Sequence, residues 1–152
     1  MRAKLHRVVI VVADLDAAID RYTRLFGASF TRTQAAVAAA TGVAAAADPD
    51  IGIELACPLA GHPSPIAADL AGWLAERGEG IYGMALNCPD DFDEALAGAR
   101  AEGLSFAMEP LSFSPEQIDH EFGGRYSQYR EAIVDRKHLG YALAYNAIVD
   151  KK

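Results

Sequence analysis

The sequence is poor in the residues that would commit it to a disulfide, zinc or polyanion-binding role. Only two cysteines occur, Cys57 and Cys88. They have neither CxxC spacing nor a secretion signal beside them, so they read as buried thiols and not as a bridge or a zinc site. Lys and Arg number 14 against 21 Asp and Glu, a formal charge of −7, and no basic cluster stands out. Duplex DNA and anionic membrane surfaces select clustered Lys and Arg to displace counterions, so neither nucleic acid nor membrane is expected as a partner. Long apolar runs are missing as well. Met1-Arg2-Ala3-Lys4 begins like a signal peptide, but the apolar run from Val8 stops at Asp14, and the longest uncharged stretch, Thr33 to Ala47, is mostly Ala and Thr. The expectation is a cytoplasmic protein whose mature chain starts at Met1.

What is present is enough for a core. Hydrophobic residues make up 51% of 152 positions, the length of one domain, although Ala supplies much of that share. The acidic runs Asp48-Pro49-Asp50 and Pro89-Asp90-Asp91 read as a turn and a helix cap, since neither has the acidic spacing or the Gly of a calcium loop.

The chain repeats itself. Val8 to Val12 is a β-branched run, Asp14 caps a helix carrying Leu15, Ile19, Tyr22 and Phe26 at helical spacing, and Gly27 stops it. Ile81 to Cys88 is again a strand, Pro89-Asp90-Asp91 opens a helix with Phe92, Leu96 and Ala99, and Gly103 closes it. The exits Gly27-Ala28-Ser29-Phe30 and Gly103-Leu104-Ser105-Phe106 lie half a chain apart. Further strands are expected at 28–33, 42–47 and 51–57, and at 105–108, 126–135 and 141–148. Ser64-Pro65 starts a connecting helix with Ile66, Leu70, Trp73 and Leu74 on one stripe, ended by Gly78, where packing is the expected role. The expected layout is a single domain, 1–152, with module one at 4–60, the connecting helix at 64–78 and module two at 80–149. Ala35 to Ala47 reads as a loop and a short strand, and Pro110 to Gly124 as a long loop, a length often found in lids and binding loops.

Two βαβββ modules opened by HRVVIVVADLDAAIDRYTRLFG resemble the vicinal oxygen chelate superfamily of glyoxalases, bleomycin-resistance proteins and extradiol dioxygenases, with the methylmalonyl-CoA epimerase-like branch most similar. IELACPLAGHPSPIAADLAGWLAERGEGIYGMAL and REAIVDRKHLGYALAYN carry the rest of the resemblance, which covers most of the chain. It implies an α+β fold in which the paired modules form a curved, cupped mixed sheet with helices outside. It also implies a divalent metal held by one His, Gln or Glu from each of four strands. Those four positions fall on Arg7, Glu54, Gly83 and Ala144, of which Glu54 alone keeps an oxygen donor. Arg cannot deprotonate, so Arg7 in the metal's place repels a cation. No metal and no cofactor are expected.

Strand alternation sets Arg7, Val9 and Val11 on one face and His6, Val8, Ile10 and Val12 on the other. In the fold it resembles, the first set lines a cavity together with Gly52, Glu54 and Ala56, with Gly83, Ala85 and Asn87, and with Ala142, Ala144 and Asn146. Such small side chains suit a bulky, partly apolar ligand, or reflect only an Ala-rich sequence. Arg7 and Glu54 are the catalytic candidates: Arg7 holds an anionic or carbonyl oxygen while Glu54 accepts a proton, unless the two are a structural ion pair plugging a vacated metal site. His120 is expected where the long loop could fold over the cavity mouth; Tyr126 and Tyr129 point to opposite faces, so that one of the two can line the pocket, and Tyr126 is the candidate ligand contact. His6, His62 and His138 read as surface or satisfied residues. The function expected is binding of a small organic molecule in a metal-free cavity; the alternative is an isomerase, epimerase or lyase working beside a carbonyl, such as that of a CoA thioester. A homodimer is expected, because an open sheet leaves edges to cover.

Overall fold

A computed structural model of the chain describes residues 2–152. Contacts divide it into two compact units, residues 7–82 and residues 83–152 together with those up to His6.

The first unit, which takes β1 from Arg7 onward, runs β1 (Lys4–Val11), α1 (Leu15–Phe26), β2 (Thr31–Arg32), α2 (Ala35–Thr41), β3 (Val43–Asp48), β4 (Ile53–Pro58) and α3 (Pro65–Arg77). Its strands lie in the order β2-β3-β4-β1, antiparallel except for the parallel pair β4–β1. Asp14 caps α1 by accepting from the Ala17 N–H at 3.0 Å, and Gly27 ends it at φ +67°, in the left-handed region that favours glycine. Ile10, Val12, Leu15, Ala18, Ala46 and Leu55 pack together between the sheet and α1. That fixes the other face as the one carrying Arg7, Val9, Val11, Glu54 and Ala56.

The second unit runs β5 (Gly80–Asn87), α4 (Phe92–Ala101), β6 (Phe106–Ser112), α5 (Pro115–Phe122), β7 (Tyr126–Val134) and β8 (Ala142–Asp150), with strand order β6-β7-β8-β5. This is the order of the first unit again, with β5–β8 as the parallel pair. Phe92, Leu96 and Ala99 of α4 pack on Ala132, Val134, Leu143, Tyr145 and Ala147. The face away from α4 therefore carries Gly83, Ala85, Asn87, Ala144, Asn146 and Glu131.

Two expectations are corrected. Ala35 to Thr41 is a helix, because Ala is the strongest helix former and the Thr41-Gly42 break is its C-terminal cap, with Gly42 at φ +77°. Pro110 to Gly124 is not a loop: β6 runs on to Ser112, and α5 follows with a complete capping box, Ser114 accepting from the Gln117 N–H while the Gln117 side chain accepts from the Ser114 N–H. Each module thus has a short helix between its second and third strands, which makes the duplication fuller than its sequence signature.

The connecting helix α3 buries Ala67, Leu70 and Trp73. Trp73 meets Tyr82 edge-on with ring centroids 5.3 Å apart, and the Tyr82 hydroxyl donates to Asp69. No helix among the described residues is long and apolar enough to cross a membrane.

Candidate functional site

The parallel pair β1–β4 sets Val9 opposite Glu54, and on that face the Arg7 side chain lies diagonally next to the Glu54 carboxylate. Arg7 Nε donates to Glu54 Oε2. Arg7 is 7% exposed and the Glu54 side chain 23%, so the guanidinium is buried and the carboxylate partly so. A buried arginine demands anionic acceptors, and this one has a carboxylate from the neighbouring strand.

In the second module β5 and β8 pair Gly83 with Ala142, Ala85 with Ala144 and Asn87 with Asn146. Gly83 is small for a reason of backbone geometry. A Cβ there would stand 2.1 Å from the Ala142 carbonyl oxygen, so the strand pair admits no side chain at that position. Asn87 likewise serves the backbone, since its amide donates to the Ile148 carbonyl at 2.9 Å and accepts from the Ile148 N–H at 2.8 Å, extending the ladder beyond the end of β5. The structure thus shows Asn87 as a tie between β5 and β8.

His120 sits on the exposed side of α5, not on a loop. Tyr126 is buried under α5 with Ile118, Tyr129 and Ile148, its ring 5.4 Å from that of Phe122. A register shift after Tyr126 turns Tyr129 into the same cluster, where it stacks on Phe122 at 4.5 Å, so the two tyrosines share a face instead of opposing one another. His138 accepts from the Ser105 N–H at 3.1 Å, and His62 bonds the backbone at Ala39 and Ser64, in keeping with satisfied structural histidines. Cys57 and Cys88 are free thiols, and burial pushes both up from the ordinary thiol value.

The sequence reading missed one polar cluster. Glu131 Oε2 accepts from the Asn146 amide at 2.7 Å and from the Tyr129 hydroxyl at 3.0 Å, and Asn146 is fully buried. The signal was there: Asn146 is the single polar residue in the apolar strand ALAYNAIV, and a polar group inside such a strand requires a partner.

The residues do not make a divalent metal site. In module one the only donor at the expected positions is Glu54, engaged by a permanent cation; in module two the corresponding positions hold a glycine that cannot become larger and the Ala144 methyl. Among the described residues no three His, Cys, Asp or Glu side chains group as metal ligands. A shallow cavity of about 360 Å³ opens elsewhere in module one, between α2, β3 and the end of β2, and neither Arg7 nor Glu54 lines it.

Repeated modules of this strand order, each with a parallel first–last pair, define a recognisable class. The chain belongs to the glyoxalase/bleomycin resistance protein/dioxygenase superfamily, whose family model matches residues 6–122. Among solved structures it is similar to a methylmalonyl-CoA epimerase in complex with methylmalonyl-CoA and NH4+, at 21% identity and TM-score 0.68 over 100% of both chains. It is also similar to a variant of the Streptomyces coelicolor methylmalonyl-CoA epimerase in complex with 2-nitronate-propionyl-CoA, at 20% identity and TM-score 0.67, covering 96% of this chain and 97% of that one. The Mycobacterium tuberculosis methylmalonyl-CoA epimerase matches at 22% identity and TM-score 0.65, covering 97% and 88%. At these identities the likeness establishes the fold. No curated protein matches the sequence significantly.

Proposed function

We propose that this protein binds a small organic molecule through the Arg7–Glu54 pair, on the strand face where superfamily relatives assemble a metal site. The observation that carries the reading is the buried guanidinium held by Glu54 on adjacent parallel strands. A guanidinium so fixed is a preorganised positive charge with N–H donors in a planar fork, suited to a carbonyl or carboxylate oxygen. It supplies electrostatic stabilisation without a labile ligand sphere. Native mass spectrometry of the protein purified from its own cells tests this. A bound organic mass in the wild type that is lost in Arg7→Met supports it, and a mass retained undiminished in that variant refutes it.

A second reading rests on the full-length likeness to epimerases bound to methylmalonyl-CoA and to a nitronate analogue. On it the protein is an isomerase, epimerase or lyase that moves a proton beside a carbonyl, with Glu54 as acceptor and Arg7 as partner of the developing oxyanion. Incubation with methylmalonyl-CoA in D2O decides between the two. Deuterium incorporation at the α-carbon that falls at least tenfold in Glu54→Gln makes the protein an enzyme, and binding without exchange makes it a carrier.

A further inference from the structure

The two modules differ at one equivalent place. After its second strand, each chain segment returns a backbone hydrogen bond to the third strand, Thr33 N–H to the Ala45 carbonyl at 2.9 Å in module one and Phe113 N–H to the Tyr129 carbonyl at 3.0 Å in module two. The caps of the following helices, Gln34 and Ser114, come next in both, and a buried hydrophobic residue of each helix is four positions further on, Ala38 and Ile118. Thr33, Ala38 and Ala45 are therefore the counterparts of Phe113, Ile118 and Tyr129. In module two those side chains, with Phe122, Tyr126 and Ile148, fill the space under α5. In module one the same positions line the cavity of about 360 Å³.

The cavity is walled by Leu15, Ala38, Ala39, Ala44 and Leu59, with Thr33 at its side. Its polar groups bond within the protein: the Thr33 hydroxyl donates to the Ala45 carbonyl at 3.0 Å, and Arg32 pairs with Asp16. Helix α2 is also held from behind. The His62 ring stands where a Cβ on Gly42 would be, its Nε2 lies 2.9 Å from the Ala39 carbonyl, and its Nδ1 accepts from the Ser64 N–H at 3.2 Å. That pattern is the neutral Nε2–H tautomer. The Ala-rich helix is thus pinned to the start of α3.

From this correspondence we infer that the module-one cavity is a binding site for an uncharged, ring-containing apolar molecule, which supplies there the volume that aromatic side chains supply in module two. The cavity falls within the ~300–1,000 Å³ typical of small-molecule sites, and walls that are apolar apart from Arg32 and Thr33 favour an apolar guest. The site is separate from the Arg7–Glu54 pair and does not depend on the role assigned to it.

The probe is N-phenyl-1-naphthylamine, whose fluorescence rises on entering an apolar site. Wild type binds it saturably at one per chain, and NOEs run from its rings to the methyls of Ala38, Ala39 and Ala44. Ala38→Ile and Ala45→Phe, which transplant the bulk of module two, each weaken binding at least tenfold while the melting temperature holds or rises. Binding unchanged in both variants overturns the inference, as do NOEs to residues elsewhere. So does an absence of saturable binding combined with a change of oligomeric state in Ala38→Ile, which would make a second copy the occupant. The wild-type NOEs decide the matter even where a variant fails to fold.

Discussion

Arg7 Nε donates to Glu54 Oε2 across two parallel strands, in a register that sets Glu54 opposite Val9 and diagonal to Arg7. The pair is local to one module, with Arg7 buried and Glu54 partly so. Removing either member leaves the other charge in a poorly solvated place, which typically costs about 3 to 5 kcal/mol for a buried pair. Because the Glu54 side chain keeps 23% of its surface, the low end is expected here. Glu54→Gln and Arg7→Met should each lower stability by about 3 kcal/mol, and the double variant should recover part of the loss. Urea unfolding of all four proteins measures the coupling, and strictly additive losses would contradict direct contact.

Divalent metals should not protect the fold. A ligand that binds only the native state raises its stability by mass action. Melting curves with and without Zn, Mn, Co and Ni should superimpose, and one equivalent of metal per purified chain, lost in Glu54→Ala, would overturn the assignment.

Two glycines should answer oppositely to the same substitution. Gly83→Ala drives a methyl into the Ala142 carbonyl and should cost about 3 kcal/mol or more, the upper range of overpacking. Gly98→Ala, inside α4 with nothing within 4 Å of the new Cβ, should stabilise by about 0.5 to 1 kcal/mol. Equal shifts of either sign would contradict the β5–β8 register.

Acid should remove a screened surface contribution. The hydrogen bond from Arg130 holds the Asp93 carboxyl below its ordinary 3.8, and one from Lys137 does the same for Asp135. Since both folded values are depressed, their stabilisation is complete above about pH 5, a unit above the ordinary value, and fades as pH falls through the folded values. Asp93→Asn should flatten the stability curve in that acidic window only, and 1 M salt should mimic it.

Self-association is expected, because β6 closes one side of the module-two sheet with an exposed Leu111. Light scattering at tens of micromolar should give twice 16.2 kDa; a monomer mass would count against it.

The alternation of apolar residues and the glycine stops made both modules legible, because strands with one helix-covered face announce themselves through side-chain period. Arg7 and Glu54 were legible for the same reason: their faces follow from counting by twos along β1 and β4. The short helices were harder. In α2 the Ala run carries no amphipathic contrast, so Gly42 looked like an interruption when it was a cap. In α5 the Ser-Pro-Glu-Gln start is a complete capping box, a helix signal that the length of the stretch masks. Tyr129 was misplaced because a bulge, which leaves no mark in residue period, turns it over. The Glu131–Asn146 contact required the β7–β8 register, which no local pattern specifies.

The Ala142 carbonyl facing Gly83 also ranks the four expected ligand positions by what a new side chain would ask of the backbone. Placing a histidine at Arg7 or an acidic group at Ala144 changes a side chain. Placing one at Gly83 asks β8 to move its backbone, and the core residues Leu143 and Tyr145 on its other face with it. A ligand set drawn from all four positions needs main-chain movement as well as side-chain exchange while that strand pair persists. Donors placed on this face are thus limited by main-chain geometry at β8 and not by the choice of side chain.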